Sequence, residues 1–396
     1  MLNSSGETMV YDVAVVGLGA MGAAALYQSA KLGASTIGID RFVPPHTNGS
    51  SHGGSRVTRE AVGEGPAYVP LAQRSHRILE ELERETGEPL LIKSGTLIVG
   101  SPMLGATPLH GAQDFLESSI KMAEQFNIPH EILDAATLRQ RYPEFKAFRD
   151  TDRGYLEPNS GYMRPEALIK TQLDLAAELG AHIRTNTIVT ALEHRDGIVH
   201  VSTSDGSTIR ARKVVACAGA WSRKLLGAPF DKILTVTRQV LHWYAVEDAS
   251  KFDNMPVFIW FVTDKLEDYF TGFPIMDPAE GIKMVASRDT PDIDHEGMDK
   301  SVAIEESLDF YDKHVGPNMN GVLRKVMDAG SCLYTNTPDN GFIIDDHPHI
   351  PGVLVVSACS GHGFKHSAAI GEAVAQRLCN GKSQIDLSAF TLKRFI

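Results

Sequence analysis

The chain is short of the features that mark several protein classes. Its four cysteines, Cys217, Cys332, Cys359 and Cys379, form no Cys-x-x-Cys pair and no cluster with histidine, which argues against a zinc site or a disulfide scaffold and fits a reducing compartment. No run of eighteen apolar residues occurs, so no membrane-spanning helix is expected, and residues 1–10 lack the basic and apolar regions of a signal peptide. A soluble, cytoplasmic protein is the expectation. Positive charge is scarce: 38 Lys and Arg against 49 Asp and Glu give a formal charge of -11. That balance disfavours nucleic acid as a partner, because phosphate binding needs a basic face. Internal repeats and low-complexity tracts are missing too. What remains is an ordinary globular composition, 43% hydrophobic and 22% charged over 396 residues, long enough for two domains, one of them assembled from separated segments.

Residues 13–16 (Val-Ala-Val-Val) form a short apolar run that reads as a buried parallel strand, ended by Gly17. Residues 21–32 carry good helix formers with Gly33 at the C-terminal cap, and 35–39 make a second strand ending at Asp40. Inside this βαβ unit stands Gly17-x-Gly19-x-x-Gly22, with the acid 23 residues after the first glycine. Such spacing permits close backbone approach to a pyrophosphate at a helix N-terminus, with Asp40 on a ribose hydroxyl. The motif does not separate FAD from NAD, and Asp40 has the alternative of pairing with Arg41 on the surface.

Residues 44–55 read as a loop, followed by Arg56 and Arg59, and 68–85 as a helix with a core-facing stripe. The aromatic-rich segments 240–246, 257–262, 269–273 and 282–286 predict a mainly antiparallel sheet, which would form a second domain and one wall of a substrate pocket. Near the end, 353–356 reads as a buried strand, and the turn Gly361-His362-Gly363 precedes a helix over 364–378. Backbone N–H groups and the positive end of that helix would face an anion there. Together with Ser331-Cys332-Leu333-Tyr334-Thr335, these pieces point to a flavin held from both ends of the chain.

The stretch 42–56 (Phe-Val-Pro-Pro-His-Thr-Asn-Gly-Ser50-Ser-His-Gly-Gly-Ser-Arg56), Gly63-Glu64-Gly65, residues 68–72, Glu157-Pro158-Asn159-Ser160-Gly161 and Gly361-His362-Gly363-Phe364-Lys365 resemble the monomeric sarcosine oxidase and N-methyltryptophan oxidase family from about Tyr11 to the C-terminus. The resemblance implies a Rossmann-type FAD domain built from 1–89, 155–226 and 328–396, and an α+β substrate domain from 90–154 and 227–327. It implies FAD attached through its 8α-methyl group to Cys332, where without the resemblance a buried, packed cysteine would be expected. Gly17, Gly19, Gly22, Asp40, Ser50, Gly361, His362, Gly363 and Lys365 would contact the cofactor, His362 through the backbone of its turn rather than as a base.

By the same resemblance Arg59 and Lys365 would clamp a substrate carboxylate, the guanidinium by two bonds and the ammonium as a point charge. Lys283 would stabilise the charge formed on oxygen, Arg56 would favour reduced flavin, and Tyr334 would pack along the substrate. Strand alternation leaves Lys283 free to face either solvent or cofactor. The implied activity is oxidation of an N-methyl L-amino acid by O2 to formaldehyde, amino acid and peroxide, by a monomer. Pipecolate, N-methyltryptophan or a sugar-modified amine as substrate, a non-oxygen acceptor, and a non-catalytic redox-sensing module are the alternatives. Two substrate-side positions depart from the family pattern: Thr271 stands where a tyrosine is common, and Ser287 and Arg288 where a histidine is expected.

Overall fold

In the computed structural model, residues 9–101, 109–111, 114–263, 265, 268–286 and 290–396 are described; Ser287 and Arg288 lie outside them. The first strand, Val10–Val16, pairs in parallel with Thr36–Ile39 on one side and Thr208–Ala216 on the other. His182–Arg184 and Val353–Ser357 extend the parallel part at the outer side of each neighbour. Both faces are covered, which is why Val13, Ala14 and Val15 are apolar without alternation and at most 2% exposed. Val189–Arg195 and Ile198–Thr203 add antiparallel strands at the far edge.

Helix Ala20–Lys31 follows the first strand, nearly all of it buried. It crosses helix Ser367–Asn380 at very short range, since a Cβ on Gly371 would stand 2.4 Å from the Cβ of Ala24. Small residues at this crossing bring the two ends of the chain against one sheet. The C-terminal helix begins later than residue 364, because Phe364–His366 form a 3-10 turn first, a common way for a helix to start.

The second sheet has eight strands, in the order Val322–Asn336, Thr235–Val246, Ile282–Val285, Tyr269–Gly272, Val257–Phe261, Thr96–Gly100, Arg153–Glu157, Glu131–Asp134. Its neighbours are antiparallel except Val257–Phe261 with Thr96–Gly100. Aromatic side chains such as Phe258, Trp260 and Phe270 fill its core. Fold and sequence therefore agree on a parallel nucleotide-type sheet beside a mainly antiparallel one. The junction expected between 327 and 328 falls inside Val322–Asn336, which pairs with Thr235–Val246 along its length. A motif search sees only the cysteine and its neighbours, whereas the hydrogen-bond ladder is set by the partner strand. A small third sheet joins Arg56–Thr58, Gly161–Met163 and Leu91–Ile92.

Candidate active site

One continuous cavity of about 560 Å3 runs between the sheets. At one end it is lined by Gly17, Gly19 and Asp40, and at the other by Arg59, Lys283, Cys332 and Lys365. Arg56, Ser50, Tyr334, Gly361, His362 and Gly363 also face it. Of the cofactor, clamp and oxygen-side residues expected from the sequence, the cavity thus brings together all but Gly22, whose part is different. A Cβ on Gly22 would lie 1.7 Å from the Gly17 carbonyl oxygen, so Gly22 lets the helix close on the turn.

At the nucleotide end, Gly17 adopts φ +87° and its amide donates to Ile39 O at 2.8 Å. A side chain there would meet the Cys217 carbonyl at 2.5 Å. Helix Ala20–Lys31 has no side-chain cap, leaving its first-turn N–H groups for an anion. The Asp40 carboxylate accepts from the Leu18 amide at 2.7 Å and the Phe42 amide at 2.8 Å. Its pairing with Arg41 does not form, and Arg41 instead meets Glu296 at 3.0 Å.

At the other end, Lys283 is 2% exposed, so of the two faces open to it the strand turns it inward. Its ammonium donates to Gly53 O at 2.7 Å, Ser55 O at 2.9 Å and the Ser55 hydroxyl at 3.1 Å. Burial, with Arg56 nearby, holds its pKa well below the ordinary lysine range. Arg56 donates to the carbonyls of Ser50 and Ser55. Cys332 is 2% exposed; burial raises its thiol pKa, while Arg56 and Lys283 pull against that rise. Gly361 has φ +77° and would collide with Tyr334 and His110 if it carried a side chain. His362 donates through Nε2 to Asn340 O at 2.9 Å, and burial keeps it neutral at ordinary pH.

Glu64, inside a quoted motif but given no role from the sequence, proves central. Its carboxylate meets Arg59 at 2.9 Å and Lys365 at 3.3 Å, with all three side chains at most 4% exposed. Burial alone would raise its pKa, yet Arg59 and Lys365 overcome that and hold it well below the usual carboxylate range. Lys365 is pushed down to about 8, chiefly by burial. Glu157 was likewise overlooked: buried, it accepts from the amides of Glu60 at 2.7 Å and Ala61 at 3.1 Å and from Tyr155 at 2.9 Å. It fixes the turn just after Arg59. The signal for both was an acid among glycines or before a proline in an otherwise apolar neighbourhood.

The profile of a family described as FAD dependent oxidoreductase matches residues 12–377. The chain belongs to that family. It is 36% identical to a monomeric sarcosine oxidase from Streptomyces avermitilis, with 97% of each chain covered. It is 34% identical to an N-methyl-L-tryptophan oxidase from Yersinia pestis, covering 98% of this chain and 100% of the other. The fold matches solved NikD, an unusual amino acid oxidase essential for nikkomycin biosynthesis, with TM-score 0.80 at 21% identity over 97% of this chain and 98% of that one. As a member of the FAD dependent oxidoreductases the chain is an FAD enzyme, and the cavity suits that cofactor. It joins a glycine cradle and an uncapped helix to a polar far end, and Arg59 Nε, Thr335 Oγ1 and Trp221 Nε1 are buried without a hydrogen-bond partner. Among the described residues, no helix is long and apolar enough to cross a membrane.

Proposed function

We propose that this enzyme oxidises the secondary amine of an N-methyl or otherwise N-alkylated L-amino acid, with O2 as the electron acceptor. The observation that carries the reading is the buried Arg59–Glu64–Lys365 group in the same cavity as Lys283 and Cys332. Two cations already hold a carboxylate there, so a substrate carboxylate finds a site of matching charge and geometry once Glu64 yields one or both partners. The relatives named sarcosine oxidase and N-methyltryptophan oxidase support the same substrate class.

FAD, when bound, supplies a two-electron acceptor for the C–H bond beside the amine nitrogen and passes the electrons to O2 as hydrogen peroxide. The protein's part is positioning and charge. Gly17, Gly19, Asp40, Ser50 and the 361–363 turn would hold the cofactor, and the thiol of Cys332 would bind it covalently. Arg59 and Lys365 orient the amino acid by its carboxylate. The cationic lining of Arg56, Arg59 and Lys365 disfavours an ammonium and selects the neutral amine. At Lys283, a depressed pKa leaves Nζ ready to take a proton when negative charge develops beside it. The two lobes would be built on the parallel sheet and the mainly antiparallel sheet, with Arg153–Glu157 and Val322–Asn336 each belonging whole to the second, working as a monomer.

Thr271 lines the cavity beside Ile259, its register partner, and leaves more room than a tyrosine would. A peroxide assay over sarcosine, N-methyltryptophan, pipecolate and a fructosyl amine tests the reading, and formaldehyde release identifies an N-methyl substrate. Peroxide from none of them, with FAD bound, would refute it. Thr271→Tyr should shift preference toward sarcosine, the smallest of the panel.

A further inference from the structure

Lys283 stands in the wall between two cavities. The second, also about 560 Å3, is lined by His52, Gly53, Gly54, Leu241, Trp243 and Gly330, with Glu166, Glu280, Lys300 and Asp328 as its charged groups. Arg59, Glu64 and Lys365 belong to the first cavity alone, while Leu241 lines both. Lys283 donates to the carbonyl of Gly53 at 2.7 Å and sits 5.5 Å over the Trp243 ring, two walls of the second cavity. Trp243 and Lys283 are register partners on adjoining strands, and Leu241 pairs with Gly330 on the other side.

The wall is thin where it matters. A Cβ on Gly53 would stand 2.5 Å from Leu241 and 3.7 Å from the Lys283 ammonium. At that point the Gly53 backbone, with the Leu241 and Trp243 side chains beside it, stands between the lysine and the second cavity. Gly53 (φ +94°) and Gly54 (φ +78°) are held there by Glu166, which accepts from their amides at 2.6 and 3.2 Å. His52 is 5% exposed and its Nε2 has no hydrogen-bond partner.

We propose that the second cavity is the passage by which dioxygen reaches the Lys283 side of the active site and hydrogen peroxide leaves. The proposal rests on the oxidase reading above. A bound amino acid and its two clamps fill the substrate end of the first cavity, so a gas arriving before the product departs needs another way in. Three carboxylates against one lysine repel a carboxylate-bearing substrate from the second cavity, whereas neutral O2 and H2O2 pass. The chemistry served is O2 plus two electrons and two protons from the reduced cofactor, giving one H2O2.

Gly330 offers the test, because a Cβ there meets nothing within 4 Å and its φ is not in the left-handed region. The holoenzyme and its Gly330→Ala, Gly330→Val and Gly330→Phe variants are reduced with dithionite without oxygen and then mixed with O2. The rate of re-oxidation should fall with side-chain size, by about ten-fold or more in Gly330→Phe, while the oxidised-cofactor spectrum and propionate affinity stay within about two-fold. Xenon under pressure, an inert stand-in for O2, should occupy the second cavity in holoenzyme crystals and be lost from it in Gly330→Phe. Re-oxidation of Gly330→Phe at the parent rate overturns the proposal, as does xenon found only in the first cavity. A parent enzyme that re-oxidises no faster than free reduced FAD overturns the oxidase reading as well, which separates the two failures.

Discussion

Replacing Glu64 with Gln removes the one negative charge between Arg59 and Lys365 while keeping the side chain's shape. In the parent enzyme an incoming carboxylate must share those cations with Glu64, all in a site at most 4% exposed. Two like charges sharing the same cations, taken as about 6 Å apart at an effective dielectric of about 20, repel by roughly 3 kcal/mol, so loss of Glu64's charge should tighten carboxylate binding on the order of 100-fold. Stability should move the other way, because two buried cations lose their partner, a change that typically costs about 3–5 kcal/mol. Loss of Glu64 also lowers Lys365 further from its present value of about 8. The titration therefore belongs well on the acid side of about 8, which favours the ammonium. Propionate, which has no amine to oxidise, is titrated into holoenzyme and followed through the cofactor absorbance, with thermal unfolding measured alongside. Equal or weaker propionate binding in the variant would show that Glu64 does not compete for the carboxylate site, and the assigned roles of Arg59 and Lys365 would fail with it.

Other outcomes follow from the same geometry. Cys332→Ser should leave the protein able to bind FAD but release it on denaturation, whereas the parent peptide containing Cys332 should carry the cofactor mass; an unmodified parent peptide returns the cysteine to a packing role. Lys283→Met should slow re-oxidation by O2 by about 100-fold or more and cofactor reduction far less, since only the oxygen step builds charge that the ammonium offsets; equal damage to both steps refutes this. Carboxylate affinity should weaken as pH rises through about 8, where Lys365 loses its proton, and a flat profile from neutral to alkaline pH would count against the clamp. For stability the signs differ by group. Lys365 is depressed, so the unfolded chain binds more protons between about 8 and the ordinary 10.5, and its contribution improves as pH climbs through that window. Glu64 is depressed too, so its contribution is complete above the ordinary value of 4.5 and is lost as pH falls below it. Melting temperatures across pH check both, with Glu64→Gln removing the acid-side loss.

Local chain chemistry accounts for the individual strands, turns and helices. Gly17-x-Gly19-x-x-Gly22 between an apolar run and helix formers settles a strand, turn and helix, because only glycine tolerates φ +87° at Gly17 and the contact of Gly22 with the Gly17 carbonyl. The aromatic segments likewise specified strands through their spacing. Packing in three dimensions sets which face each side chain presents and which distant groups meet. Alternation allowed Lys283 to point outward, and its inward course was fixed by acceptors 228 and 230 residues away in the chain. Glu64 became the partner of Lys365 across 301 residues, and no local pattern encodes a contact of that span. Burial then set the proton affinities of these groups, for charge in a water-poor cavity depends on what surrounds it in space and not on what precedes it in the chain.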